Sequence, residues 1–316
     1  MNAYAIPSPD KAATVIDLPI PDVGPDDVRI AIRAASVNGF DVFQANGYLL
    51  GMMEHRFPAV IGRDFAGVVD AIGTAVTDLA VGDEVVGFVP SVPPLEHGSF
   101  AESVVAADLV LAMKPAGLDF DVASTLPLAG SAALDLLDAV DLAAGDTVLI
   151  VGATGGVGTF AMQLAAQRGA VVIATARPDE EASVRALGAT HTVDWSAGGV
   201  VEAVRTLYPD GVTAVIDLVD QKDALTELGA IVRSGGRVTT LLGASDIEAF
   251  ADRGIVASNT NAATTPDKIR RLADMVASGR LRVVIQETYP LDRAAEAITA
   301  FQAGSRGKLV LAIGES

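Results

Sequence analysis

Hydrophobic and polar positions follow two different patterns along the chain. Up to about residue 115, short apolar runs are separated by Gly and Pro, and "DDVRIAIRAASV" (26–37) alternates as a strand with one buried face does. Three further runs have the same character: "FAGVVDAIG", "DEVVGFV" and "GSFAESVVAA". Short strands at this spacing predict a partly open β-barrel or a sandwich.

From about residue 120 the pattern changes to apolar strands that alternate with helical segments. We predict strands near 147–151, 171–175, 191–194, 213–217 and 236–241. We predict helices near 156–168, 179–187, 198–208 and 222–233, and a further strand, "GIVAS", at 254–258. This alternation predicts an α/β fold with a parallel sheet and helices on both of its faces.

The tail of the chain predicts four more elements. They are a helix at 266–279, a strand at 282–289, a helix at 291–303 and a strand at 308–312. The last strand, "KLVLAI", is expected to return and pair with the N-terminal region, so that the two ends of the chain share one domain.

A glycine-rich loop, "GATGGVG" (152–158), joins the first α/β strand to its helix. Read as the dinucleotide fingerprint G-x-G-x-x-G, it has Ala153, Gly155 and Gly158 at the three positions, with Gly152 just before. Small residues there allow a tight turn, close approach to a pyrophosphate and close helix packing, while the helix N-terminus faces the phosphates. The residues expected to contact the cofactor are Ala153, Thr154, Gly155, Gly156, Val157 and Gly158. The alternative is a turn that binds nothing; the βαβ context favours the cofactor.

The end of the second α/β strand indicates which dinucleotide is bound. An NAD site places Asp or Glu there for the ribose 2′-hydroxyl, whereas an NADP site offers Arg. This strand ends in Thr175, Ala176 and Arg177 without an acid, and a guanidinium fork suits a 2′-phosphate. The acids at 179–181 follow a proline and fit the first turn of a helix. We therefore predict NADPH, held in part by Thr175 and Arg177; the alternative for Arg177 is a solvated loop residue.

Composition narrows the class of protein further. The chain has 316 residues, half of them hydrophobic, which predicts two domains with sizeable cores. It has no cysteine, which excludes disulfides, thiolate metal sites and cysteine nucleophiles. The net charge of −18 disfavours binding to nucleic acid and to anionic membranes. No uncharged apolar run reaches about 20 residues and "MNAYAIPSPDK" lacks a signal-peptide pattern, so we expect a cytoplasmic protein.

Taken in order, the motifs of the chain resemble the medium-chain dehydrogenase/reductase superfamily, and within it the zinc-independent NADPH:quinone oxidoreductase (zeta-crystallin-like) branch. They are "SVNGFD" (36–41), "VIGRDFAGVV" (60–69), "VGDEVVGF" (81–88), "GSFAESVV" (98–105), "PLAGSAALDLL" (127–137), "VLIVGATGGVG" (148–158), "RALGATHTVDW" (185–195), "AVIDLV" (214–219), "GGRVTTLLG" (235–243) and "GKLVLAI" (307–313). The resemblance covers nearly the whole chain.

This resemblance implies an architecture. A GroES-like β-barrel catalytic domain would occupy residues 1–118 and be completed by about 261–316. A Rossmann domain with a doubly wound parallel sheet would occupy 119–260 and bind NADPH. A homodimer is also implied, because the strand corresponding to "GIVAS" often pairs across a two-fold axis in this family.

Zinc-dependent members of the superfamily carry a cysteine near Asn38, a His-Glu pair at the positions of Arg63 and Asp64, and a four-cysteine loop. This chain has none of these, and its three histidines show no metal-ligand spacing. We expect no metal, and instead an ion pair between Arg63 and Asp64 where relatives place the zinc.

Without a metal to polarise a carbonyl, hydride transfer needs an acceptor that is already electrophilic. Quinones and conjugated enones or enals qualify, and the protein then supplies orientation, a dry cleft and a proton donor. We therefore predict a zinc-free, NADPH-dependent oxidoreductase that reduces a quinone or related conjugated carbonyl, a small molecule, in the interdomain cleft. The alternatives are an enoyl or enone C=C reductase and, from another class, a non-catalytic NADPH-binding redox sensor.

The resemblance also implies which side chains face the acceptor. Asn38 matches the family's "VNxxD" motif, either as a donor to the nicotinamide or the acceptor oxygen, or as a capping residue. Tyr48 matches the tyrosine of the "RxGYL" stretch, as a proton donor or an aromatic wall, although Ala45 replaces the usual Arg. Leu126 and Leu128 are expected to line the same pocket.

The remaining expected contacts are to the cofactor. Those to the nicotinamide ribose and ring, at carboxyl ends of strands, are Asp217, Leu218, Val219, Leu242 and Gly243. Lys308 matches the lysine of the family's C-terminal "GK" motif, and is interpreted either as a contact to the cofactor edge or as a surface lysine before a strand. Asp41 is expected to be structural and to bond backbone.

Overall fold

The computed structural model describes residues 1–314 and divides the chain into two units. The first unit holds Met1–Ala129 together with the chain from Thr264 onward, and the second unit holds Gly130–Ala263. The first unit is therefore assembled from two separate stretches of sequence, whereas the second is continuous.

The elements alternate as the hydrophobic pattern predicts. The strands are β1 (Asn2–Ile6), β2 (Thr14–Asp17), β3 (Val28–Ser36), β4 (Ala59–Val60), β5 (Asp64–Ile72), β6 (Glu84–Phe88), β7 (Ser103–Ala106), β8 (Val110–Met113), β9 (Thr147–Val151), β10 (Val171–Thr175), β11 (His191–Val193), β12 (Val212–Asp217), β13 (Val232–Thr240), β14 (Val256–Asn259), β15 (Ile285–Pro290) and β16 (Lys308–Ala312). The α-helices are α1 (Gly39–Ala45), α2 (Phe120–Ser124), α3 (Pro127–Ala139), α4 (Gly156–Gln167), α5 (Glu181–Ala186), α6 (Val200–Leu207), α7 (Lys222–Leu228), α8 (Ile247–Ala251), α9 (Pro266–Ala277) and α10 (Ala294–Gln302). Short 3₁₀ turns occupy Pro178–Glu180, Gly229–Ile231 and Leu291–Arg293.

Most strand pairs of the first unit are antiparallel. One sheet has the order β2-β1-β4, and a seven-stranded sheet has the order β15-β16-β3-β5-β6-β8, with β7 also paired to β3. Along the first half of β3 buried residues alternate with less buried ones, as its sequence predicts. The predicted return of the last strand is confirmed, because β16 pairs antiparallel with β3 and places Val310 opposite Ser36.

The register of these strands gathers several polar side chains at one place in the first unit. Ser36, the last residue of β3, lies opposite Asp64, the first residue of β5. The N–H of Val37 donates to Leu309 O at 2.9 Å, which brings the start of β16 against the turn between β3 and α1. Asn38 and Lys308 therefore come together with Ser36 and Asp64.

The second unit contains one parallel sheet in the order β11-β10-β9-β12-β13-β14. Numbered from β9, this is the order 3-2-1-4-5-6 of doubly wound dinucleotide-binding sheets. The strands β9, β10 and β12 are buried on both faces and carry continuous apolar runs, as in "TVLIV" of β9. The order reverses between β9 and β12, and ligands bind at the carboxyl ends of strands at such a point. The predicted α/β fold class is confirmed.

Some predicted boundaries differ from the structure. The helix predicted over 222–233 ends at Leu228, because Val232 already pairs with Val212 in the sheet and its backbone hydrogen bonds belong to β13. The strand predicted at 282–289 begins only at Ile285. Across residues 1–314, none of the helices is long and apolar enough to cross a membrane.

Candidate functional site

The glycine-rich loop of the second unit turns at Gly152. This residue has a φ of +77°, the left-handed region that favours glycine, and its N–H donates to Thr175 Oγ1 at 3.0 Å. The fingerprint alignment put the tight turn at Ala153, whereas the backbone makes it one residue earlier and buries Ala153 completely. Thr175, buried at the end of β10, therefore anchors the loop through its hydroxyl.

The rest of the loop fits a bound pyrophosphate. A Cβ on Gly158 would lie 2.2 Å from Gly152 O, so helix α4 can pack this closely on the loop only with glycine there. A Cβ on Gly155 would meet only Gly152 O at 3.4 Å, so the loop is open at this point. Thr154–Val157 (residues 154–157) are half-buried. The first amides of α4 have no partners within the helix and are available to phosphate oxygens.

The loop after β12 lies against the glycine-rich loop. Asp217 is fully buried, and its Oδ1 accepts from Val219 N at 2.8 Å and Asp220 N at 2.9 Å, which fixes the chain direction beyond the strand. Val219 would touch a Cβ on Gly152 at 2.8 Å. Val219 and Leu242 are exposed apolar side chains, both at carboxyl ends of strands, where a flat ring can pack. Of the other predicted contacts, Leu218 is half-buried, and Gly243 has open space at its Cβ position.

A pair of carboxyl groups at the end of β12 was not predicted. Burial, followed by the hydrogen bond and the charge of Asp217, raises the pKa of Asp220 to about 7. Asp217 Oδ2 has no other hydrogen-bond partner within the described residues, so a protonated Asp220 can donate to it. The spacing of the acids in "DLVD" (217–220) was the signal available in the sequence.

Arg177 lies directly after β10 and is exposed. Its guanidinium stacks over the ring of Trp195 at 4.9 Å from the ring centroid. The backbone N–H of Arg177 donates to Glu180 Oε2 at 2.8 Å. Asp194 lies near enough to interact with the charge of Arg177, and its Oδ1 accepts hydrogen bonds from the N–H and the hydroxyl of Ser196. Sequence reasoning missed Trp195, although it is the single tryptophan and follows β11, the neighbour of β10.

A second group of polar residues is buried in the first unit and is called here the Asn38 network: Ser36, Asn38, Asp64 and Lys308. Lys308 Nζ donates to Asn38 Oδ1 at 2.5 Å and to Val37 O at 3.0 Å. Asn38 Nδ2 donates to Asp64 Oδ2 at 2.9 Å, and Ser36 Oγ donates to the same oxygen at 3.3 Å. The amide of Asn38 thus connects a buried ammonium group to a buried carboxylate.

This geometry bears on two predicted residues. The amide of Asn38 is fully engaged, since Nδ2 also donates to Ser36 O at 3.3 Å, and Asn38 is the N-cap of α1. Lys308 is 3 % exposed, so the interpretation as a surface lysine is wrong. The predicted contacts of Asn38 with the acceptor and of Lys308 with the cofactor edge remain predictions.

The expected ion pair between Arg63 and Asp64 does not form among the described residues. Arg63 Nη2 donates to Gln44 Oε1 at 2.8 Å and the guanidinium lies 5.4 Å from the centroid of the Phe40 ring. Neighbouring side chains in extended backbone point to opposite faces, so Arg63 and Asp64 cannot turn toward the same partner. Arg63 instead shares its surroundings with Asp41, whose Oδ2 accepts from Asn38 N at 2.8 Å.

Burial shifts the pKa values of these charged groups. It raises the pKa of Asp41 to about 7, against the nearby charge of Arg63, and raises that of Asp64 to about 6, against the charge of Lys308. Burial lowers the pKa of Arg63 to about 10 and also lowers that of Lys308. Each buried acid thus lies near one basic group whose charge opposes the effect of burial on its pKa: Arg63 for Asp41, and Lys308 for Asp64.

The other residues predicted to contact the acceptor differ in exposure. Tyr48 is 60 % exposed, and its ring packs edge-on against Phe43 at 5.6 Å between centroids. Leu128 is half-buried, and its N–H donates to Asp64 Oδ1 at 3.1 Å. Leu126 is fully buried, so its side chain belongs to the core.

Two family models match parts of the chain. The alcohol dehydrogenase GroES-like domain matches residues 24–115, and the family described as zinc-binding dehydrogenase matches residues 187–311. Despite the second description, residues 1–314 contain no group of three or more His, Cys, Asp or Glu side chains placed to hold a metal ion.

Whole proteins match over most of the chain. An NADPH-dependent alkenal/one oxidoreductase of Arabidopsis thaliana is 31% identical over 92% of this chain and 73% of its own length. A 2-methylene-furan-3-one reductase of Solanum lycopersicum is 30% identical with the same coverage. The solved structure of a quinone oxidoreductase from Coxiella burnetii superposes with a TM-score of 0.88, at 28% identity, covering 99% of this chain and 98% of that one.

If Arg177 binds the 2′-phosphate, it should allow the protein to discriminate between NADP⁺ and NAD⁺. Removing a charge-assisted pair with a phosphate in Arg177→Ala should weaken NADP⁺ binding about 10- to 100-fold and leave NAD⁺ binding nearly unchanged. Trp195 is the single tryptophan, so quenching of its fluorescence measures binding at this position. Arg185→Ala is the matched control, because Arg185 is an exposed arginine that pairs with Glu181 on α5. An Arg177→Ala variant that keeps the wild-type affinity for NADP⁺ would contradict the assignment.

Because the carboxyl group of Asp41 is buried, we expect the free energy of unfolding of the protein to depend on pH. Its pKa is raised from 3.8 to about 7, so the folded protein holds this proton more tightly than the unfolded chain, and the free energy of unfolding falls as pH rises through this range. Asp41→Asn keeps an acceptor for Asn38 N without the charge. Its stability relative to wild type, measured by urea unfolding, should therefore increase by about 1 kcal/mol or more between about pH 5 and about pH 8. The exposed Asp108→Asn should show no such trend, and a flat difference for Asp41→Asn would refute the prediction.

Proposed function

The chain belongs to the medium-chain dehydrogenase/reductase superfamily, among its zinc-independent, quinone-oxidoreductase-like members, and on this premise we propose that it is an NADPH-dependent reductase of quinones or related conjugated carbonyl compounds. The observation that carries the proposal is the carboxyl edge of the second unit's sheet. There an open glycine-rich loop lies beside an arginine at the end of β10, with no acid at the strand tip. The names of the relatives support the class of acceptor.

The second unit supplies the residues that would hold NADPH. The amides at the start of α4 would bind the pyrophosphate, and Arg177 on its Trp195 platform would bind the 2′-phosphate. Val219 and Leu242 would pack against the nicotinamide. When bound, NADPH supplies a hydride; every other requirement falls on the protein.

The acceptor must also receive a proton. Reduction of a quinone or an enone adds one hydride and one proton, and without a metal the developing negative charge has to be delocalised or protonated. The exposed phenol of Tyr48 is a candidate donor, and its edge contact with Phe43 offers an aromatic surface to a flat acceptor. Water is the alternative donor, since Tyr48 is open to solvent.

Reduction of an activated C=C bond is a second candidate. Two relatives that are at least 30% identical are named for such substrates, an alkenal/one and a 2-methylene-furan-3-one. In both candidates the hydride comes from the same cofactor, and the difference is whether it arrives at a conjugated carbon or at a quinone ring.

A small acceptor panel tests the proposal. We expect rapid NADPH oxidation with 1,4-benzoquinone or 9,10-phenanthrenequinone, and slower oxidation of NADH by at least about 10-fold. Turnover confined to an enal or a cyclic enone would favour the C=C reductase. Tyr48→Phe, which keeps the ring and removes the hydroxyl, should lower kcat by about 100-fold if Tyr48 is the proton donor, and should leave it unchanged if water is.

Two controls separate failure of catalysis from failure of folding. Arg177→Ala should lose the preference for NADPH while keeping the same acceptor profile. Wild-type protein that binds NADPH, as shown by Trp195 quenching, yet oxidises it with none of the four acceptors would contradict a reductase of this class and favour a redox sensor.

We propose further that the protein acts in the cytoplasm as a homodimer formed through β14. This strand is one of the two edges of the second unit's sheet, and its first residue, Val256, is 61 % exposed. An exposed edge with an apolar residue can add a strand from a second copy, which would continue the sheet across a two-fold axis.

The edge predicts how the dimer can be broken. Val256→Lys places a charge on the pairing edge and should convert a dimer into a monomer in sedimentation or light-scattering measurements, whereas Val256→Thr should leave the dimer intact. Monomeric wild-type protein would contradict the dimer, and a dimer that persists in Val256→Lys would place the interface elsewhere.

A further inference from the structure

Lys308 is a buried lysine whose charge has no direct carboxylate partner. Its Nζ is bonded to a backbone carbonyl and to the amide oxygen of Asn38, and no ion pair joins it to an acid within the described residues. The other buried lysine of this unit, Lys114, is different, because its Nζ lies 2.8 Å from Glu84 Oε2. The ammonium group of Lys308 is therefore connected to a carboxyl group only indirectly, through the side-chain amide of Asn38.

Asp64 is the acid at the far side of that amide. Its two oxygens accept from Asn38 Nδ2, from Ser36 Oγ and from the N–H of Leu128. A carboxylate can accept from all three, whereas a protonated carboxyl would have to donate through one of its oxygens. The N–H groups of Asn38 and Leu128 both donate to Asp64, so this arrangement favours the ionised form of a fully buried carboxyl group.

The Asn38 network holds two helix N-termini. Asn38 caps α1, with its N–H bonded to Asp41 Oδ2 at 2.8 Å, and Asp64 binds the N–H of Leu128 in the first turn of α3. An anionic group at a helix N-terminus is favourable because of the helix dipole. Helix α1 carries Phe43 and leads into Tyr48, the residues that would face the acceptor.

We propose that Lys308 is a positioning residue for acceptor reduction, which keeps Asp64 ionised through the amide of Asn38 and thereby fixes the starts of α1 and α3. The inference rests on the proposed function for its catalytic readout alone. Lys308 touches neither reactant in this role. It acts by fixing which way the Asn38 amide faces, with its oxygen toward the ammonium and its nitrogen toward the carboxylate.

Loss of the lysine charge changes the network in a definite way. Asp64 would take up a proton, and the Asn38 amide would turn so that its Oδ1 accepts a hydrogen bond from the protonated carboxyl group. The charged and titratable groups around Asp64 are Lys308 on β16, Asp41 on α1 and Arg63 just before β5. Lys308 is the cation that lowers the pKa of Asp64 against burial, so its loss raises that pKa further.

The test compares Lys308→Met with Lys114→Met. Lys308→Met should lower kcat/KM for the quinone about 10- to 100-fold, because small displacements of reacting groups have effects of this size. NADPH affinity, measured by Trp195 quenching, should stay within about twofold of wild type. Lys114→Met also removes a buried lysine of the same unit, but it should leave kcat/KM and its pH profile unchanged.

The pH profile distinguishes positioning from a general loss of structure. In wild type, kcat/KM for the acceptor should fall as the pH drops through about 6, where Asp64 takes up a proton. In Lys308→Met this fall should move to higher pH, and Lys308→Arg, which keeps the charge, should restore the wild-type midpoint. A Lys308→Met enzyme with the wild-type rate and profile would overturn the proposal.

A second variant covers the case in which Lys308→Met does not fold. In Lys308→Met with Asp64→Asn, the buried acid that has lost its counter-charge is replaced by a neutral amide, so the double variant should fold and should be more stable to urea than Lys308→Met. A double variant no more stable than the single one would show that Lys308 does not act on Asp64. This unfolding comparison stands even if wild type reduces no quinone or enone, an outcome that would refute only the proposed function.

Discussion

The first unit buries two acids, Asp41 and Asp64, together with two basic groups, Arg63 and Lys308, and the attraction between them opposes the cost of burying each one. Removing an ion from water costs several kcal/mol unless a counter-charge and hydrogen bonds replace the lost hydration. The chain meets this requirement by bringing five element termini to one place. They are the last residue of β3, the first residues of β5 and β16, and the first turns of α1 and α3. The same residues therefore serve as strand ends, helix caps and counter-ions.

The glycine-rich edge of the second unit is built on a different principle. Its shape depends on backbone and on small residues: Gly152 makes the turn, Gly155 leaves the loop open and Gly158 lets α4 approach. Charged groups lie at its margins, Arg177 after β10 and the Asp217–Asp220 pair at the end of β12. The shape of the glycine-rich loop thus depends on residues that lack bulky side chains. The Asn38 network of the first unit depends on charged and polar side chains.

This difference explains how much the sequence could predict. Residues close in sequence determine the glycine-rich loop and the position of Arg177, so the βαβ pattern identified both. The alternation of strands and helices predicted the parallel sheet. The partners of Lys308 lie 270 residues away at Asn38, and the stack of Arg177 on Trp195 depends on the pairing of β10 with β11. No local pattern encodes such contacts. The Arg63–Asp64 ion pair was predicted from adjacency, and adjacency in extended backbone is what separates the two side chains.

The return of β16 to β3 also sets an order of events during synthesis. The second unit is continuous, so all of its strands leave the ribosome together and it can fold as soon as Ala263 has emerged. The first unit begins earlier but cannot be completed until Lys308 arrives, because Asp64 has no counter-charge before then. The segment made first is therefore finished last, and the nascent N-terminal barrel must wait, with an open sheet edge, for nearly the entire chain to be translated.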